Sequence, residues 1–400
     1  MLFAPHHGGM DDSSDDIAAL VALVLAGGPL SPRRRLLSGL SRPADLLAGN
    51  PAKWKRAGLE DRQCKALQHP DRIRLEMARV WLAGSSRRHC LWAGHPDYPA
   101  LLANSPDPPI ALFLEGNLDC LLQPAIAVVG SRAASHAGRA IAADLAVQLG
   151  RHGLLVASGL AAGIDAAAHT ASLDSAANGL AVIGTGPDQC YPASHRALDA
   201  RLREQGLVLG EYPPGTPPIA HHFPARNRIL AGLTMAVIVV EAAQRSGALL
   251  TARLAAEAGR EVFAVPGSIR QPQSRGCHRL LREGAGLLES IEDLLPCLAP
   301  LARQLGINLQ QRLENAPHPV EQPSAAVFQG DDRARRVLAA IEVEPVDMDE
   351  LVQRTGLTVN DLSSILIGLE LEGWVSCQHG RYLRSSQPTT PIASTDAGRG

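Results

Sequence analysis

Lysine is almost missing from this sequence: Lys53, Lys55 and Lys65 are the only three among 38 basic residues in a chain of 400. Arginine carries the rest of the positive charge and offers a planar fork suited to phosphate. Forty acidic residues bring the formal net charge to -2. That excludes a uniformly basic nucleic-acid coat but leaves room for a local basic patch. Aromatic residues make up only 3% of the chain, so Leu, Val, Ile and Ala must fill most of the core. The seven cysteines (Cys64, Cys90, Cys120, Cys190, Cys277, Cys297 and Cys377) are dispersed, odd in number and form no CxxC pair. This argues for free thiols in a reducing compartment and against a zinc site. The apolar run Ile17 to Ala26 is too short to span a bilayer. The stretch before it, Met1 to Asp16, holds four aspartates and no lysine or arginine, unlike a secretory signal. A soluble cytoplasmic protein with no membrane role is expected.

The chain is long enough for several domains. Residues 1–90 are expected to form a small helical domain of the SAM or helix-hairpin-helix kind. Asp15 or Asp16 caps its first helix, and Gly28-Pro29, Ser41-Arg42-Pro43 and Asn50-Pro51 break the later ones. Arg33, Arg34 and Arg35 suit a DNA backbone at such a hairpin; a solvated helix start explains them equally well. Asp97 to Leu121 is a Pro-rich connector. Residues 91–300 then alternate apolar runs with helical spacing. Ile126–Val129, Leu154–Ala157, Leu180–Ile183, Leu207–Leu209, Met235–Val240 and Val262–Val265 are the expected strands. Continuous apolar strands between helices predict an α/β fold, a Rossmann-like, doubly wound and mostly parallel sheet. Residues 301–330 read as a linker, 331–384 as a winged-helix-like domain, and 385–400 as a disordered tail.

Ligands bind such sheets beyond the carboxyl ends of the strands. Here those ends carry Gly130-Ser131-Arg132, Ser158-Gly159 with Gly163, Gly184-Thr185-Gly186, and Ser246-Gly247-Ala248 with Thr251 beyond. Glycine lets the main chain approach closely, and helix N-termini favour anions. Several such turns on one edge suggest a track for an extended anion; tight turns with no ligand are the plain alternative. Neither G-x-G-x-x-G nor a Walker sequence follows the first strand, and no acidic ribose ligand ends the second. NAD and Walker-type ATP are therefore excluded, and no cofactor is expected. Phe223-Pro224-Ala225-Arg226-Asn227-Arg228 adds guanidinium forks for phosphate and a ring for base stacking. A helix start with Phe223 in the core fits it as well. From Ile126 to Asp293 there are 15 arginines and 14 acidic residues, so binding needs clustering; Arg132, Arg226 and Arg228 are the expected cluster.

Together with Ile164-Asp165-Ala166-Ala167-Ala168-His169 and Ser246 to Ala252, these segments resemble the DNA-processing protein A family (DprA, also called Smf), in order and in spacing. Tyr98-Pro99 and Asp107-Pro108-Pro109 fit it too. The resemblance is strong over about Leu91 to Leu295 and looser at both ends. It implies a protein that binds and protects single-stranded DNA entering during natural transformation, helps load the RecA recombinase, and dimerises through the Rossmann-like domain. It further implies that Arg132 is a phosphate ligand, with Arg226, Asn227 and Arg228 lining the same pocket. Where many relatives carry Gly-x-Asn, this chain has Gly276-Cys277-His278.

No catalytic residue or metal ligand is assigned. Asp165 and His169 share a helix face and allow an acid–base pair, but no third partner is evident. The adjoining His221 and His222 point apart, and no G-x-S-x-G elbow occurs. A nucleotide hydrolase is the rival reading; its Pro-Gly-Gly-x-Gly-Thr-x-x-Glu hallmark is absent at Glu241 to Ala248. A winged-helix transcription regulator is a third. Its recognition helix, Thr358 to Leu371, contains Asp361 and Glu370 but no lysine or arginine, which suits a DNA groove poorly. The module is expected to contact protein or to position the core.

Overall fold

The computed structural model describes residues 14–303, 331–341, 346–371, 374–378 and 381–384. The chain divides into two compact units, Met1–Glu314 and Asn315–Gly400. Most of the expected linker, from 304 to 330, and the expected tail, 385–400, lie outside the described residues.

The first unit opens with helices Ser14–Leu25, Leu30–Ser38, Pro51–Arg56, Asp61–Gln68 and Arg72–Ala83. Their breaks follow local chemistry. Pro51 begins a helix because its missing N–H would have no partner there, and Asn50 Oδ1 accepts the Lys53 N–H at 3.0 Å. Asp16 sits within the first helix rather than capping it. Its carboxylate accepts the Ala44 N–H at 2.8 Å and Arg42 Nη2 at 3.1 Å, tying that helix to the turn Pro43–Leu46. Arg33 faces inward, not toward solvent. It is buried and donates to the carbonyls of Leu23, Val24, Gly28 and Pro29. These lie at the end of the first helix, where unpaired carbonyls favour a cation. Arg33 is thus a structural cap, and only Arg34 and Arg35 of the triplet retain exposed surface.

The sheet comprises β1 (Arg88–Trp92), β2 (Ala111–Gly116), β3 (Ala125–Val129), β4 (Leu155–Ser158), β5 (Gly179–Ile183), β6 (Leu207–Gly210), β7 (Ala236–Val239), β8 (Glu261–Ala264) and β9 (Gly286–Leu287). Its order is β1-β2-β6-β5-β4-β3-β7-β8-β9. From β6 to β9 every neighbouring pair is parallel. β2 runs antiparallel to both β6 and β1. The parallel strands β3 to β7 are buried on both faces, as their unbroken apolar runs require. Ala125, Ala127 and Val129 face Ile229, Leu230 and Ala252. Ile126 and Val128 face Ala142, Leu145 and Ile164 on the other side.

The Pro-rich connector is the main difference from expectation. It contains the helix Ala100–Ala103 and the fully paired strand β2. Pro108 and Pro109 stop just before Ala111, so the strand keeps its donors, and Ala111 to Leu114 supplies a buried apolar run. Phe113 and Ile110 share one cluster with Leu20, Leu23, Trp54 and Trp81 of the helical segment. Helices and sheet edge therefore have a common core.

The second unit holds helices Asp332–Ala340, Met348–Thr355 and Val359–Leu371 with β10 (Val346–Asp347), β11 (Val375–Gln378) and β12 (Arg381–Arg384), in the order β10-β12-β11. Asp331, Asp347 and Thr358 each accept an N–H from the turn they open, as N-caps do. Val337, Leu351, Leu362 and Leu366 form its core. Among the described residues no helix is long and apolar enough to cross a membrane.

Candidate nucleic-acid interface

Three helices begin beyond the carboxyl ends of β3, β4 and β7, and their N-termini are served differently. Helix His136–Arg151 starts at Ser135, whose Oγ accepts the Gly138 N–H at 2.9 Å. The Glu241 carboxylate, from the loop after β7, reaches the same place. Its Oε2 accepts the Ser135 N–H at 2.9 Å and its Oε1 the Ser135 hydroxyl at 2.5 Å. Helix Ile164–Asp174 has Asp165, whose Oδ2 accepts the N–H groups of Gly159 at 3.0 Å and Ala161 at 3.3 Å. Helix Gly247–Glu257 differs. Ser246 Oγ accepts the Ala248 N–H at 3.2 Å, its first turn holds no acidic residue, and space beside Gly247 is open.

A cavity of about 390 Å³ lies over this open helix start. Gly130, Ser131 and Arg132 form one wall, Gly159 a second, and Asn227, Ser246, Gly247 and Thr251 the rest. Arg132 and Arg245 are both exposed at its rim. Arg226 forms the floor. It is 5% exposed, its Nη1 donates to the Val182 carbonyl, and its Nε has no acceptor. Gly159 makes room for it, since a Cβ there would stand 2.6 Å from Nη2. Burial lowers the Arg226 pKa to about 10, with nearby Asp165 working the other way. The floor thus carries a fixed positive charge at neutral pH. Burial raises the Asp165 pKa, opposed by Arg226 and by the two N–H groups.

The structure brings together Gly130, Ser131, Arg132, Gly159, Arg226, Asn227, Ser246, Gly247 and Thr251. It leaves four expected residues outside. Ser158 is fully buried and donates to the Val128 carbonyl at 2.6 Å. Gly163 lies against the Ser131 and Arg132 carbonyls. Phe223 sits at the β5 end, its ring 5.1 Å from that of Tyr191 and against Gly184. Arg228 points away into a fork with Glu211, Nη1 to Oε1 at 2.8 Å and Nη2 to Oε2 at 2.6 Å. Burial works to lower the Arg228 pKa, and the Glu211 hydrogen bonds and charge more than offset it. Arg228 is committed to the protein itself, so the expected trio of arginines is not a cluster. Sequence reading passed over Arg245, although it stands immediately before the helix-opening Ser246-Gly247 pair, where a cation borders the anion-favouring end.

Asp165 and His169 share no hydrogen bond. Asp165 accepts backbone N–H groups, and His169 is fully buried beside the Ser158 backbone. Burial lowers the His169 pKa to about 4, so the ring is neutral. His222 stacks on Tyr212 at 3.7 Å while His221 meets it edge-on. Among the described residues no group of histidine, cysteine and carboxylate side chains is placed to hold a metal ion. His278, at the departing turn, has Nε2 2.9 Å from the Gly267 carbonyl.

Fold and cavity define a Rossmann-like protein with an arginine-bordered cavity at the carboxyl edge of its sheet. Residues 89–299 match the family described as DNA recombination-mediator protein A, and residues 319–381 match the DprA winged helix domain. The chain belongs to the DNA-processing protein A family, DprA/Smf. It is 38% identical to Protein Smf of Escherichia coli over 332 residues, 82% of this chain and 86% of that one. It is 50% identical to DNA processing protein DprA of Streptococcus pneumoniae over 198 residues, 50% of this chain and 70% of that one. The X-ray structure of the latter organism's DNA processing protein A superposes with a TM-score of 0.61 at 36% identity, covering 71% of this chain and 97% of its own.

Proposed function

We propose that this protein binds single-stranded DNA through the Gly130–Thr251 cavity and serves as a cytoplasmic recombination mediator, protecting incoming strands during natural transformation and helping to load RecA. One observation carries the reading: a helix N-terminus at Gly247 with no acidic residue in its first turn, flanked by exposed Arg132 and Arg245 over the buried Arg226 charge. Such a site takes phosphate. It is open and shallow, so a continuous backbone can cross it. Phe223, farther along the same sheet edge, offers a ring to a base, and only a single strand can splay bases to reach it. The role is binding rather than catalysis, and a homodimer through the Rossmann-like unit fits the family.

The test is affinity for single-stranded and duplex DNA over a salt series, for wild type and Arg132→Ala. Wild type should prefer the single strand. Arg132→Ala should weaken binding about tenfold and reduce the slope of log K against log salt by about 0.7. An unchanged slope would rule out Arg132 as a phosphate ligand. Release of free base from a nucleoside monophosphate by pure protein would replace the binding role with hydrolysis.

A further inference from the structure

In doubly wound folds, the N-terminus of the helix after the first parallel strand is the ordinary seat of a nucleotide phosphate. In this protein that seat belongs to helix His136–Arg151, and it is already full. Glu241 is 8% exposed, and Ser135 takes up both carboxylate oxygens. The fit is close: a Cβ on Gly138 would lie 2.6 Å from Oε2. A carboxylate held by a helix start, a hydroxyl and a glycine replaces a phosphate group in charge and in contacts. The Glu241 carbonyl also accepts the Ser131 N–H at 2.7 Å, so the same residue anchors the turn that presents Arg132.

We propose that Glu241 is a resident anion that closes this seat to free nucleotides and leaves the Gly247 helix start as the place for phosphate. This deepens the DNA-binding reading and rests on it. A mononucleotide or dinucleotide needs an enclosed phosphate seat beside the ribose, and Glu241 denies it one by occupancy and by like charge. A phosphodiester backbone needs only the open rim. The same glutamate therefore selects a polymer over its monomers and holds Arg132 for it.

The experiment uses full-length wild type, Glu241→Ala and Glu241→Gln, melted over a sulfate series at constant ionic strength. Glu241→Ala should lose stability without sulfate and regain it, its Tm rising about 3 °C or more beyond the wild-type response. A crystal structure of Glu241→Ala in sulfate should place the anion on the Ser135 N–H and hydroxyl. Glu241→Gln keeps the seat filled and should show no added response. Equilibrium dialysis with AMP should show at least about tenfold tighter binding by Glu241→Ala than by wild type, about 1.4 kcal/mol. If Glu241→Ala is unfolded without anion, recovery in sulfate is the same supporting result. A variant that stays unfolded in sulfate, holds only water in the seat, or binds AMP no better than wild type overturns the proposal. Oligo-dT binding by wild type, measured alongside, judges the DNA reading separately.

Discussion

The turn after β3 and the helix His222–Leu233 both carry arginine, and the two regions use it in opposite ways. Arg132 stands exposed on a loop tip, its fork in no ion pair among the described residues. Arg226 and Arg228, on the helix, are turned under the sheet edge, one against a carbonyl and the other in a two-pronged pair with Glu211. The difference teaches that an arginine-rich segment is not in itself a binding surface. A helix about three turns long that packs on a sheet must bury one face, and arginines falling on that face need internal partners. Loop arginines meet no such demand.

Substitutions can break or sharpen this contrast. The largest effect is expected from Arg228→Ala, which strands the buried Glu211 carboxylate; chemical denaturation should show a loss of about 3–5 kcal/mol. An equal loss in Arg132→Ala would erase the distinction between the two regions. Next is a pH effect from His169. Its unfolded pKa is 6.5 and its folded pKa about 4, so between these values only the unfolded chain takes up the proton. Stability should be full above about pH 6.5 and fall by roughly 3 kcal/mol as the pH drops to 4. Comparing the wild-type stability profile with that of His169→Leu checks this, since the variant's decline should be smaller by about that amount. Third, Arg245→Ala should weaken single-strand binding about as much as Arg132→Ala, about 1–2 kcal/mol, while both leave stability within about 0.5 kcal/mol of wild type. Affinity unchanged by Arg245→Ala would confine the site to the β3 turn. Smallest is the response of duplex DNA to the fragment Asp331–Arg384: with Asn360, Ser364 and Ile367 exposed on its third helix, no tight binding at physiological salt is expected by gel shift.

Much of this was legible in the residues. The six strands from Ile126 to Val265 announce themselves because a sheet covered on both faces needs unbroken apolar runs, and Asn50, Asp347 and Thr358 mark helix starts through their own side chains. β1 was harder to see, since Arg88, His89 and Trp92 give it no apolar run, and β2 was masked by neighbouring prolines. In the site, Arg132, Ser246 and Gly247 follow from strand-end logic, and Asn227 from the arginine-rich segment Phe223 to Arg228. The fates of Arg33, Arg226 and Arg228 do not. Each depends on a partner distant in sequence or on a backbone carbonyl, and neither is visible in a local pattern. Glu241 was passed over for a related reason: its role lies at Ser135, far back along the chain.

β2 pairs with β6 on one side and lends Phe113 to the helical core on the other. Phe113 meets Gly210 across that pairing, so the strand is made nearly a hundred residues before its partner leaves the ribosome. Until then the apolar run Ala111 to Leu114 has an open edge, and Leu112 and Leu114, which pack with Leu207 and Leu209, lack that cover. The N-terminal helices, first to be synthesised, can gather their own core early, yet the sheet edge joined to them is finished only when β6 arrives. A nascent chain halted before Gly210 should be cut readily by protease within Ala111 to Leu114, and one extended past it should be protected in that segment.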